Sequence, residues 1–177
     1  SMGYGTIFQM VSNTTSSSNS SNPLNFTAKP FFSNDNLVFS AGFEIDFSRN
    51  VLFICHADKK TFSYGLGQNK TTNWTNRYMG GVMIVNMTTM DVIANFDFQD
   101  YNVNASNPMY HLANDIIVDE SDGSAYVTDS FGGAIYKISY DSSSSTPYSV
   151  SIFSYTAQWQ IPKYIFFDGL SMDPVNG

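Results

Sequence analysis

Two stretches, FEIDFSRNVLFI (residues 43–54) and IIVDESDGSAYV (residues 116–127), decide the fold. Each reads as a short apolar run, an aspartate, a polar turn closing on Asn50 or Gly123, and a second apolar run. Asn and Gly tolerate the positive φ that a tight hairpin demands, so each stretch is read as two antiparallel strands and their turn. A third copy opens at LSMDPVNG (residues 170–177). Asp46, Asp119 and Asp173 hold equivalent places and are read as turn-stabilising residues.

Working outward, a glycine pair follows each second strand, at Gly80-Gly81 and Gly132-Gly133, and opens a third strand. A fourth follows near residues 92–98 and 149–155. Candidate strands from residue 37 onward are Leu37–Ala41, Gly42–Asp46, Val51–Ala57, Gly81–Met87, Asp91–Phe98, Asp115–Asp119, Ser124–Asp129, Ala134–Tyr140, Tyr148–Tyr155 and Tyr164–Asp168. They are rich in Val, Ile, Phe and Tyr and bounded by turn residues. No stretch carries a helical stripe of ten residues or more. The expected fold class is all-β: β-propeller blades of four antiparallel strands, with units starting near 42, 115 and 169. About two and a half blades fit, so residues 37–177 are read as a partial propeller, with a β-sandwich as the competing architecture. Residues 1–36 are read as an N-terminal strand and a Ser/Asn-rich loop. Residues 12–22, SNTTSSSNSSN, predict an exposed or disordered stretch. Residues 58–79 are read as an insertion on the rim. The third copy stops at Gly177, so the ring is expected to be completed by further sequence or by another chain.

Composition narrows the function. The chain has 177 residues, of which 42% are hydrophobic, enough for a packed core. Eight Lys and Arg stand against fifteen Asp and Glu, a net charge of −7, which disfavours nucleic acid as a partner. No run approaches ~20 apolar residues, so no membrane span is expected. The single cysteine, Cys55, sits in the apolar run 51–55 and reads as a buried thiol rather than a nucleophile. Seven Asn-x-Ser/Thr sequons, at Asn13, Asn19, Asn25, Asn69, Asn73, Asn86 and Asn104, favour a secreted glycoprotein.

The repeat also points to a site. Asn114 lies five residues before Asp119 and Asp168 five before Asp173; the third equivalent position is Ala41. In a propeller these positions open successive innermost strands and face the central channel. An amide oxygen and a carboxylate are hard ligands suited to calcium. Each also fits a plainer role, as a strand cap or turn residue. His111, three residues before Asn114, is placed to act as a base at a channel mouth. Asp115 reads as a structural hydrogen-bonding partner. His56 and Asp129 are equivalent ends of second strands.

The string HLANDIIVDESDGSAYVTDSFGGAIYKISY (residues 111–140) resembles the six-bladed propellers of the senescence marker protein/gluconolactonase/luciferin-regenerating enzyme family. The preceding unit, with AGFEIDFSRNVLFICHADKK (41–60) and GGVMIVNMTTMDVIANFDF (80–98), is similar to the preceding blade of that group, and FDGLSMD (167–173) to its next blade start. The resemblance spans about residues 42–177. It implies a channel metal held by Glu, Asn and Asp at the openings of inner strands, with Asn114 and Asp168 matching the Asn and Asp. No match to the Glu is found, and Ala41 cannot ligate through its side chain. The implied activity is that of a calcium-dependent lactonase or esterase acting on a small-molecule substrate; Asp168, from the resemblance, and His111, from its place before Asn114, are the expected catalytic residues. The same phrase is similar to the Yellow/major royal jelly propellers, which implies the alternative of a non-catalytic, secreted ligand binder.

Overall fold

A computed structural model describes residues 6–12, 26–34, 37, 39–57, 80–101, 111–155 and 169–173. The chain divides into two compact units, Ser1–Leu37 and Val38–Gly177. The expectations for residues 13–22, for the insertion 58–79 and for a strand at Tyr164–Asp168 lie outside the described residues.

The first unit is a hairpin, where the sequence had suggested one strand and a loop. Strands β1 (Thr6–Ser12) and β2 (Phe26–Ser33) pair antiparallel. Pro30 sits opposite Phe8, beside the register shift that follows Ile7. A bulge is one of the few places where a strand tolerates a residue with no N–H to donate.

The second unit is all-β. Its first sheet has the order β3 (Phe39–Asp46), β4 (Val51–Ala57), β5 (Gly80–Asn86), β6 (Val92–Asp97). Its second runs β7 (Ala113–Asp119), β8 (Ser124–Asp129), β9 (Ala134–Tyr140), β10 (Tyr148–Tyr155). Each sheet is a four-stranded antiparallel meander, the blade form of a partial β-propeller. The first strands, β3 and β7, lie side by side, which makes them the inner strands of neighbouring blades. A 3-10 helix, Phe98–Tyr101, leaves β6.

The sheets are joined by one apolar seam. Val51, Phe53, Cys55, Val82 and Ile84 of the first meet Ile116, Ala125, Val127, Tyr136, Ile138 and Tyr148 of the second. Phe98 stacks on Tyr136 with centroids 3.9 Å apart, and Phe53 meets Tyr148 edge-on at 5.8 Å. Leu52, Ile54, Met83 and Val85, on the opposite face of β4 and β5, are buried as well. The near-continuous apolar reading of these strands follows from burial on both faces. The outermost strands β6 and β10 each carry three exposed residues.

The hairpin turns obey their sequence chemistry. Asp46 Oδ1 accepts from Ser48 Oγ and Arg49 N, and Asp119 Oδ1 accepts from Ser121 N and Oγ. Asn50 and Gly123 take φ of 56° and 79°. Arg49 binds the Asp46 carboxylate at 2.9 Å, donates to Glu120 O at 3.1 Å and lies over the Tyr140 ring. It therefore spans the first turns of both sheets. Leu37–Ala41 and Gly42–Asp46, read as separate runs, form the single strand β3 from Phe39, with a bulge between Ser40 and Phe43. Strand β7 has its bulge at the matching place, between Ala113 and Ile116.

Candidate functional site

The opening of β7 and the close of β8 gather most of the unit's buried polarity. His111, Thr128 and Asp129 are 0% exposed and Ser130 is 1%. The equivalent stretch of the first sheet is Cys55-His56-Ala57, beside Ala41-Gly42. Buried polar groups cost free energy unless paired, so a cluster at one end of one sheet marks a place where local chemistry outweighs packing.

The pairing Ala113↔Asp129 fixes the geometry. Asp129 Oδ1 accepts the backbone N–H of Leu112 at 2.9 Å and of Gly132 at 2.8 Å. Its Oδ2 accepts from His111 Nδ1 at 2.5 Å. A carboxylate surrounded by donors is an acceptor only, which assigns the imidazole proton to Nδ1. His111 Nε2 is buried and has no hydrogen-bond partner among the described residues. The ring meets Phe98 edge-on at 6.4 Å. Gly132 and Gly80 must be bare here: a Cβ on Gly132 would overlap the Asp129 carboxylate, and one on Gly80 would come within 2.5 Å of His111 O.

Asn114 and Asp115 occupy the bulge. Asn114 Nδ2 donates to Ser130 Oγ at 3.0 Å, and Ser130 N donates to Leu112 O at 2.9 Å. Asp115 N donates to Thr128 Oγ1 at 3.0 Å. Asp115 Oδ2 accepts the N–H of Leu170 at 2.8 Å, and a Cβ on Gly42 would lie 2.9 Å from its Oδ1. The openings of all three sequence copies thus meet at Asp115: Gly42, Asp115 itself and Leu170. Asp168 lies outside the described residues, two positions before Leu170 in the chain.

The remaining sequence candidates are placed as follows. His111, read as a base at a channel mouth, is wholly buried against Asp129. His56 is partly buried and its Nε2 pairs with Asn95 Oδ1 at 2.8 Å; burial holds its pKa below the ordinary 6.5. Cys55 is buried, and burial, helped by the Asp115 charge, pushes its thiol pKa well up, as suits an inert thiol. Ser130 and Thr128 are not singled out in the sequence, and Asp129 is read there only as the end of a second strand, equivalent to His56. The available signal was the contrast between Thr-Asp-Ser at 128–130 and Cys-His-Ala at 55–57. Among the described residues no group of three or more His, Cys, Asp or Glu is arranged to hold a metal. No protein-family model matches the chain, and no curated protein matches it.

Proposed function

We propose that the chain carries part of the site of a secreted, calcium-dependent hydrolase of the lactonase/esterase class, similar to the gluconolactonase-like propellers. The observation that supports this reading is the bond from Leu170 N to Asp115 Oδ2. It ties the segment that follows Asp168 to the bulge that carries Asn114, and the repeat makes Asn114 and Asp168 equivalent. The side-chain donors of the bulge and its neighbours are all oxygens, from Asn114, Asp115, Thr128 and Ser130, a set suited to a hard cation. In this reading Asn114 and Asp168 hold the calcium. When bound it would polarise a carbonyl oxygen of the substrate.

The chain's own residues do the rest. Ser130 fixes the Asn114 amide, and Asp129 fixes the turn that carries Ser130. His111, buried and bonded to Asp129, is a positioning residue in this scheme and does not touch substrate. That burial also favours the second reading, a non-catalytic binder like the Yellow/major royal jelly propellers, because it takes the most evident base out of reach of a channel ligand.

The test is calcium-dependent lactone hydrolysis by the full-length protein. Calcium at a hundredfold excess over its Kd should stabilise the fold by about 2.7 kcal/mol. Asp168→Ala and Asn114→Ala should abolish both that shift and turnover. A calcium shift without turnover on any lactone, together with calorimetric binding of a small aromatic amine, would select the binder. No calcium shift at all would remove the hydrolase reading.

A further inference from the structure

We infer that Asn86 is an N-glycan acceptor, and that the β5–β6 turn is built to carry the glycan without disturbing the sheet. Of the seven sequons only Asn86-Met87-Thr88 lies among the described residues. Asn86 closes β5, and backbone bonds close the turn after it at its base. Asn86 N donates to Asp91 O at 2.9 Å, and Met90 N donates to Asn86 O at 2.8 Å. Met90 takes φ of 63° to close it. Thr88, Thr89, Met90 and Asp91 are exposed.

The side-chain amide divides its two ends cleanly. Asn86 Oδ1 accepts the N–H of Thr88 at 2.8 Å and of Thr89 at 3.1 Å, an Asx turn that caps the hairpin. Nδ2, the atom that bears a glycan, donates to none of the described residues. The sequon hydroxyl is steadied from the neighbouring turn, where Asn50 Nδ2 donates to Thr88 Oγ1 at 2.5 Å. Linking a sugar to Nδ2 removes one amide hydrogen and leaves Oδ1 a full acceptor, so every bond of the turn survives. A glycosylated chain can therefore reach the same fold.

The transfer itself balances with one co-reactant, a lipid-linked oligosaccharide pyrophosphate. Nδ2 forms a bond to the sugar C1 as the C1–oxygen bond to the pyrophosphate breaks. The amide proton goes to a base of the transferase, and the lipid pyrophosphate leaves. Strand β5 runs from Gly80 at the polar cluster to Asn86 at the other end, six residues or about 20 Å away. The glycan would solvate that far end and leave the candidate site open.

The experiment is secretion of the full chain, behind a supplied signal peptide, from a cell that performs N-glycosylation. The folded, secreted protein is treated with a peptide amidase in heavy-oxygen water and its peptides are weighed. The Asn86 peptide should carry heavy-oxygen aspartate at that position. Thr88→Ala should abolish the label there, and Thr88→Ser, which keeps a hydroxyl, should retain it. An Asn86 peptide that emerges unmodified from the folded, secreted protein overturns the inference. So does modification found only in chains retained in the cell as misfolded protein.

Discussion

Asp129 shows how much one side chain can hold in place when it is buried with the right donors. Its carboxylate takes Leu112 N and Gly132 N on one oxygen and the His111 ring on the other. An asparagine at this position cannot serve both sides. If its NH2 faces His111, the ring must present a bare Nδ1 and carry its proton on Nε2, where it meets no acceptor among the described residues. If its NH2 faces the backbone, donors meet donors. Either arrangement leaves a buried N–H unpaired, at about 1–3 kcal/mol, on top of the lost charge-assisted bonds. Asp129→Asn should therefore lower the unfolding free energy by about 2–4 kcal/mol in urea titration. A loss below about 0.5 kcal/mol would show that the carboxylate is not the anchor described. None of this was legible from residue 129 alone. The aspartate matters because Ala113 pairs with it across the sheet and because Gly132 and Gly80 leave room, and both are long-range facts.

At the scale of the elements, strands β4, β8, β9 and β10 matched their sequence boundaries residue for residue. Turn chemistry brackets them, and the residues between have no competing preference. The inner strand β3 was read as two runs because its irregularity does not originate in its own sequence. The bulge at Ala41-Gly42 lies where β3 meets β7, and a Cβ on Gly42 would stand 2.7 Å from Asn114 O. What selects glycine is the neighbouring blade. Of the hairpin β1–β2 the sequence suggests only one strand; Pro30, which has no N–H to donate, sits opposite Phe8 beside a bulge that the strand pairing alone reveals. Gly42 has no positive φ, so its need for a bare Cα is purely steric. Gly42→Ala should cost about 1–3 kcal/mol by overpacking, read as a lowered melting temperature. Gly169→Ala is the control. Its nearest neighbour among the described residues, Asp115 Oδ2, would lie 3.7 Å from the new methyl, an ordinary contact, so stability should hold within about 0.5 kcal/mol. Equal losses at both positions would contradict the close approach of the inner strands.

Across the second unit, the two sheets share one apolar seam. Phe53 stands at the centre of the first sheet, 0% exposed, and reaches Tyr148 on the first residue of β10 in the second. Phe153, five residues further along β10, is 60% exposed and meets Tyr126 on the outer side of the same sheet. Two phenylalanines of equal size thus test the seam against the surface. Phe53→Ala removes a ring from a close-packed interface and should cost about 3–5 kcal/mol, transfer and cavity terms together. Phe153→Ala should cost about 0.5 kcal/mol or less. The decisive measurement is amide exchange rather than melting temperature. If the seam makes the sheets one cooperative body, Phe53→Ala must lower the protection of β8 and β9 as much as that of β4 and β5, although it alters no hydrogen bond in the second sheet. Protection lost in the first sheet alone would mean that each meander stands independently, and adjacent inner strands would then give a common site no mechanical basis.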